Sequence, residues 1–122
     1  MSMKVILPIF AVACALLPGA THAQSASRRT FPNGVTISLE YEPAGIGGTG
    51  TIIRRQRGQS VRRVTIDYMR EFTGIPAENQ VRYVVSGVTD RGEESIACVA
   101  TIDWRRARVV ARRRLGRSTL TC

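Results

Sequence analysis

Arginine is the residue type with the clearest chemical signature in this chain, and it is concentrated near the carboxyl end. Seven arginines lie in the last nineteen residues, and no aspartate or glutamate follows Asp103. They are Arg105, Arg106, Arg108, Arg112, Arg113, Arg114 and Arg117. A guanidinium group presents a planar set of donors that pairs bidentately with phosphate or carboxylate, so the cluster indicates anion binding.

Nearly all of the excess positive charge belongs to this tail. Residues 24–103 contain ten arginines and nine acidic residues, a net charge of +1, whereas residues 104–122 contain seven arginines and no acid, a net charge of +7. Like charges at this density repel one another, which makes binding a better explanation than a purely solubilising face. The only tryptophan, Trp104, begins the tail and could stack on a ring or lie in a membrane interface.

A strand fits the tail slightly better than a helix does. In an extended chain the apolar side chains after Trp104 fall on one face, where only Arg113 interrupts them. The opposite face would then carry a row of guanidinium groups. The predicted anion-binding residues are Arg106, Arg108, Arg112 and Arg114, with Trp104 at their edge.

The elements that must hold this tail in place include a disulfide. The chain has three cysteines, and we predict that Cys98 and Cys122 pair, because the third, Cys14, lies in the amino-terminal leader. Their bridge would close a loop that contains every arginine of the tail. A disulfide is compatible with an exported protein, and it helps a small domain to stay folded.

Residues 1–23 have the features of a secretory signal peptide. Lys4 supplies the positive charge at the start, and the sequence VILPIFAVACALL forms the apolar stretch. Thr21-His22-Ala23 then offers a site for cleavage before Gln24. The apolar stretch is shorter than the roughly 20 residues that a membrane span needs. A lipoprotein acylated at Cys14 is a weaker alternative. The protein is therefore expected in the periplasm or outside the cell.

The predicted mature chain, residues 24–122, is one domain that contains no histidine and no lysine. This composition excludes a Ser-His-Asp triad, a Cys-His pair and Schiff-base chemistry, and it leaves a zinc site without ligands other than the cysteines. Two carboxylate pairs remain formally available, Asp67 with Glu71 and Glu93 with Glu94. Solvated charge explains both pairs better, so we expect no enzyme activity, no cofactor and no metal.

The pattern of apolar residues predicts an α+β fold with one antiparallel sheet of five or six strands and one helix packed across it. The strands are expected at 35–42, 51–55, 81–89, 95–103, in the tail and at 119–122, with a loop over 43–50 and a hairpin turn at 90–92. Ser60 and Gly74 are good caps for the helix between them. The alternative is an all-β barrel or sandwich in which 61–68 is also a strand.

Two functions remain open at this point. The first is an exported binding module of the cell envelope that engages an anionic ligand such as lipopolysaccharide, anionic lipid or peptidoglycan. The second is an interaction or assembly protein that docks on an acidic protein partner. Nucleic acid is a less favoured ligand for the same arginines.

Processing gives the first testable prediction. The exported protein should begin at Gln24, because the small residues Thr21 and Ala23 occupy the positions that signal peptidase reads. Intact-mass measurement of protein recovered from the envelope fraction checks this. A diacylated species that begins at Cys14 would instead identify a lipoprotein.

Overall fold

The computed structural model describes residues 27–45 and 47–122, and in these residues the chain forms eight β-strands and no α-helix. The strands are β1 (Arg28–Thr30), β2 (Thr36–Glu42), β3 (Gly48–Arg55), β4 (Arg62–Met69), β5 (Glu71–Ala77), β6 (Gln80–Thr89), β7 (Gly92–Asp103) and β8 (Arg108–Arg114). They make two antiparallel sheets of four, in the orders β1-β2-β3-β4 and β5-β6-β7-β8. The predicted signal peptide and Cys14 lie outside the described residues.

The prediction of an α+β fold with one packed helix is wrong, and the all-β alternative is the architecture that the structure shows. The predicted helix, 60–74, is β4 followed by β5, with Arg70 between them. Buried side chains in β4 are Val64, Ile66 and Met69. Their spacing changes from two to three, which mimics the period of a helix although the chain is extended.

A β-bulge causes this change of spacing. Gly48 pairs with Met69 and Gly50 pairs with Ile66, so two residues of β4 lie opposite Thr49 alone. The second of them, Tyr68, has a φ of 61°. A residue other than glycine in this left-handed region costs roughly 1–2 kcal/mol. The bulge turns Met69 into the core and leaves Tyr68 69% exposed.

The predicted strands in the rest of the chain are largely confirmed. The segment predicted at 35–42 is β2, and the predicted hairpin with its turn at 90–92 is formed by β6 and β7. The strand predicted at 51–55 begins earlier, at Gly48, inside the segment predicted as a loop. The tail forms β8, but the short last strand predicted at 119–122 is wrong, because that segment has no strand pairing.

The core lies between the two sheets and is built from alternate residues of their strands. The largest fully buried side chains include Ile37 and Ile52 from the first sheet and Val81 and Tyr83 from the second. Ile96, Cys98, Ala100 and Ile102 of β7 are all buried on one face, as their alternation predicts. Burial of these aliphatic side chains supplies the main favourable free energy of folding.

The chain passes from one sheet to the other without a loop. Arg70 separates β4 from β5, and its backbone N–H donates to the Val84 carbonyl of β6 at 2.7 Å. At the opposite end of β4, the Arg62 guanidinium donates to the Arg105 carbonyl, in the turn between β7 and β8, at 3.2 Å. Strand β4 therefore crosses the second sheet from β6 to the β7–β8 turn.

The predicted disulfide between Cys98 and Cys122 is confirmed, with an S–S distance of 2.08 Å and a Cα–Cα distance of 5.9 Å. It holds the last residues of the chain against the core. The Tyr83 hydroxyl donates to the Cys122 carbonyl at 3.2 Å, and Leu120 is partly buried against the core. The carboxyl-terminal segment is thus anchored at its last residue although it forms no strand.

Removal of the disulfide should destabilise the fold by about 3.5 kcal/mol, the loop-closure value for a separation of 24 residues. A Cys98→Ala/Cys122→Ala variant tests this by guanidinium unfolding under non-reducing conditions. The wild-type protein with reductant is the matched control and should unfold at nearly the same midpoint. If the free energy of unfolding falls by less than about 1 kcal/mol, the disulfide only tethers the carboxyl-terminal segment and adds little stability.

Candidate anion-binding surface

The register of β8 on β7 decides where the tail arginines lie. Arg112 pairs with Ala100 and Arg114 pairs with Cys98, whereas Arg108 pairs with Asp103. Directly opposed residues of an antiparallel pair lie on the same face of the sheet. Arg112 and Arg114 therefore lie on the face that carries the core, and Arg108 lies on the other face.

The tail arginines consequently do not form the single row that their alternation predicts. A second β-bulge explains the difference. Thr101 pairs with Ala111 but Ile102 pairs with Val109, so Val110 is an extra residue that reverses the alternation in the middle of β8. Arg106 belongs to the turn between β7 and β8 rather than to the strand. Of the four predicted anion-binding arginines, Arg112 and Arg114 lie on one face of the second sheet. Arg108 lies on its other face, and Arg106 lies in the turn.

Trp104 has a structural contact. Its indole N–H donates to the Glu78 carbonyl, in the turn between β5 and β6, at 2.7 Å. The ring is partly buried and packs against the core. Trp104 therefore joins two turns of the second sheet, and its ring is less available for a ligand than its position at the start of the tail suggested.

Three of the predicted arginines already have protein partners. Arg114 Nη1 donates to the Leu120 carbonyl at 3.2 Å and also to the Ser118 carbonyl. Arg112 lies close enough to Tyr83 for its charge to act on the phenol. Arg106 Nε lies 3.8 Å from an Asp103 carboxylate oxygen. All three remain solvent-exposed, but part of their role is to hold the tail and the carboxyl-terminal segment.

A second arginine cluster lies beside the tail, and the sequence analysis missed it. Between Glu42 and Asp67 the chain has no acidic residue. The arginines of this stretch belong to the β3–β4 hairpin and are Arg54, Arg55, Arg57, Arg62 and Arg63. The hydrogen bond from Arg62 to the Arg105 carbonyl joins this hairpin to the β7–β8 hairpin. The absence of acids was the available signal, but the sequence does not show that the two hairpins meet.

We call residues 54–63 and 103–114 the paired basic hairpins. They contain eleven arginines and one acidic residue, Asp103. No charged residue is buried in the described part of the chain, so every arginine of the hairpins is at least partly exposed. The side chains of Arg57, Arg63, Arg105 and Arg108 make no hydrogen bond or ion pair with any residue that the structure describes. These four are free to meet a ligand.

The acidic residues considered as carboxylate pairs lie at the other end of the strands. Asp67 accepts a hydrogen bond from Thr49 at 3.2 Å. Glu94 accepts hydrogen bonds from Thr89 and Ser118, and these bonds together with the charge of Arg91 hold its pKa below the ordinary value. Glu71, Glu93 and Glu94 line an open cleft of about 530 Å³. Asp67 does not line this cleft, whereas both members of the Glu93–Glu94 pair do.

Comparisons with known proteins give no relative for this chain: no protein-family model, no curated protein and no solved structure matches it. Over residues 27–45 and 47–122, no group of three or more histidine, cysteine, aspartate or glutamate side chains is arranged to hold a metal ion. No helix in this described part has the length and hydrophobicity to cross a membrane.

The Tyr83 phenol should set the alkaline limit of stability. Burial raises the pKa of Tyr83 above 10.0, and the nearby Arg112 opposes this only in part. The unfolded state then releases the phenolic proton first as the pH rises. The free energy of unfolding should be constant up to about pH 9 and fall above about pH 10.

Urea unfolding between about pH 8 and pH 11 measures this dependence, and residues 27–122 contain no lysine that would titrate in the same range. A Tyr83→Phe variant is the control, because it lacks the ionisable hydroxyl and keeps the ring. Its alkaline decline should be shallower than that of the wild type. An equally steep decline would assign the effect to another group.

Proposed function

We propose that this protein is an exported, non-enzymatic binding module of the cell envelope, which engages an anionic ligand through the paired basic hairpins. The ligand classes are lipopolysaccharide, anionic lipid headgroups and peptidoglycan. The observation that carries the proposal is the meeting of two arginine-rich hairpins, with eleven arginines and one acid, at one end of β4.

Electrostatic energy favours a ligand for this surface. The described part of the chain has only two ion pairs between side chains, Arg91 with Glu94 and Arg106 with Asp103. Most guanidinium groups of the hairpins therefore have no acidic partner among the described residues. Their mutual repulsion opposes the compact state. An anionic ligand would relieve this repulsion. A phosphate or carboxylate would also use the bidentate donor geometry of arginine.

A membrane surface or lipopolysaccharide layer suits an array of this extent. Basic residues near an anionic membrane contribute about 1 kcal/mol each, so several weak contacts sum to firm binding. The arginines lie on two hairpins instead of in one pocket, which favours a ligand that presents many negative charges. The absence of histidine and lysine after His22 supports a binding role over catalysis.

Docking on an acidic protein is the second candidate, and the position of β8 favours it. This strand is the last of the second sheet, and its only neighbour in the sheet order is β7. An extended acidic segment could add to the other edge and place carboxylates beside arginines on both faces. Backbone pairing would persist at salt concentrations that screen a purely electrostatic contact.

Neutralisation of four hairpin arginines that have no partner tests the main proposal. The variant Arg57→Gln/Arg63→Gln/Arg105→Gln/Arg108→Gln should lose roughly a thousandfold in partition onto anionic vesicles at low salt. Its thermal midpoint should stay near that of the wild type, since these side chains make no hydrogen bond or ion pair within the described fold. The measurement is the bound fraction on anionic and neutral vesicles, and on lipopolysaccharide, over a salt series.

The matched control removes four cations elsewhere, with Arg28→Gln/Arg82→Gln/Arg91→Gln/Arg117→Gln. It has the same net charge as the hairpin variant, so a difference between the two reports position and not total charge. Equal binding by the two variants would contradict a role for the paired basic hairpins.

A further inference from the structure

Positive and negative charges collect at opposite ends of the strands. The paired basic hairpins meet at one end, and they hold eleven arginines and one acid, a net charge of +10. The other end, which we call the acidic end, contains the β2–β3 loop, the junction of β4 and β5, and the β6–β7 turn. It has two arginines, Arg70 and Arg91, and six acidic residues, a net charge of −4. The six are Glu42, Asp67, Glu71, Asp90, Glu93 and Glu94.

The open cleft of about 530 Å³ belongs to the acidic end. Glu71, Glu93 and Glu94 line it, and Arg70 is the one basic residue among its described lining residues. The exposed side chains of Glu71 and Glu93 make no hydrogen bond or ion pair with any described residue. Val88 also lines the cleft and is 80% exposed. The cleft therefore offers unpartnered carboxylates beside an apolar side chain.

The turn between β3 and β4 has the complementary chemistry. The side chain of Arg57 makes no hydrogen bond or ion pair within the described fold, and Val61 is 40% exposed. Gly58 has a φ of 80°, which lets the chain reverse tightly after Arg57. Arg54 donates to the Gln59 side chain across the turn at 2.9 Å. The turn thus presents a basic and an apolar side chain on a backbone that is already ordered, which lowers the entropic cost of binding.

This turn and the cleft lie too far apart to meet within one molecule. The turn precedes Arg62 at the start of β4, whereas Arg70 of the cleft follows Met69 at its end. The eight residues of β4 span roughly 26 Å in an extended strand. A contact between them must therefore join two copies.

The net positive charge of the chain does not prevent such a contact. At physiological ionic strength the Debye length is about 8 Å, which is much shorter than β4. Charges at the contacting ends then dominate the interaction, and the basic ends of two copies in line are screened from each other. A symmetric contact between two basic ends would instead place arginines against arginines.

We propose that copies of this protein associate head to tail, with the β3–β4 turn of one copy seated in the cleft of the next. Arg57 of one copy donates to Glu71 and Glu93 of the next, and Val61 packs on Val88. The two surfaces differ, so each pair of copies keeps one free turn and one free cleft, and the assembly can extend. The inference shares Arg57 with the proposed anion binding but does not depend on it.

Sedimentation of the full exported chain tests this proposal at about 0.15 M salt and at protein concentrations up to about 1 mM. The mean mass of the wild type should rise with concentration beyond that of a dimer. A cleft variant, Glu71→Gln/Glu93→Gln, and a turn variant, Arg57→Gln/Val61→Thr, should each associate about tenfold more weakly. The matched control for the cleft variant is Glu40→Gln/Glu78→Gln, which has the same net charge and should associate like the wild type.

Mixing the two variants gives the decisive measurement. The cleft variant keeps an intact turn and the turn variant keeps an intact cleft, so an equimolar mixture should form dimers and no larger species. This recovery also shows that both variants are folded. A mixture that stays monomeric, or a wild type that is monomeric at about 1 mM, would overturn the proposal. Equal loss of association in the control would assign the effect to net charge and overturn it too.

Two further measurements separate this proposal from others. The cleft variant keeps every arginine of the paired basic hairpins, so it should bind anionic vesicles as the wild type does. Loss of vesicle binding by the hairpin variant thus tests the anion-binding proposal alone. A tetra-arginine peptide is the probe for a foreign basic partner. If it shifts the amides of Gly45 and Gly87 while the wild type stays monomeric, the cleft serves another protein and self-association is refuted.

Discussion

The continuous passage of the backbone from β4 to β5 constrains how the first sheet lies against the second. Because Arg70 is the only residue between these strands, no loop absorbs the change of direction, and its N–H joins the ladder of the second sheet immediately. One end of β4 is thereby fixed beside β6, and the other reaches the β7–β8 turn through Arg62. The cleft lies near the first end and the paired basic hairpins lie at the second.

Repulsion between the tail arginines opposes the compact state, but some of these guanidinium groups also make contacts that hold the fold. Arg114 donates to carbonyl groups of the carboxyl-terminal segment, and Arg112 lies close to the buried Tyr83. The Cys98–Cys122 disulfide then keeps that segment in place despite the repulsion within the tail. Arginines that hold the fold and arginines that remain free thus occur close together in the sequence.

Local patterns of the sequence were sufficient for much of this structure. Alternation predicted β2, β6, β7 and the buried face of Cys98, and the position of the cysteines predicted their pairing. The same reasoning failed at 60–74, where good cap residues and a spacing of three imitate a helix. It also failed for the tail face, since no local signal marks Val110 as the extra residue of a bulge. The meeting of the two basic hairpins depends on tertiary contacts, which local patterns do not contain.

Both errors have the same physical origin, a β-bulge. A strand with a bulge changes which side chains face the core, and it exposes a residue that a regular strand would bury or pair. In β4 the exposed residue is Tyr68, and in β8 it is Val110, which is 50% exposed. Without the first bulge, Met69 would leave the core; without the second, Arg108 and Arg112 would share a face. Each bulge therefore interrupts the alternation of buried and exposed residues. A prediction that assumes regular alternation fails at both places.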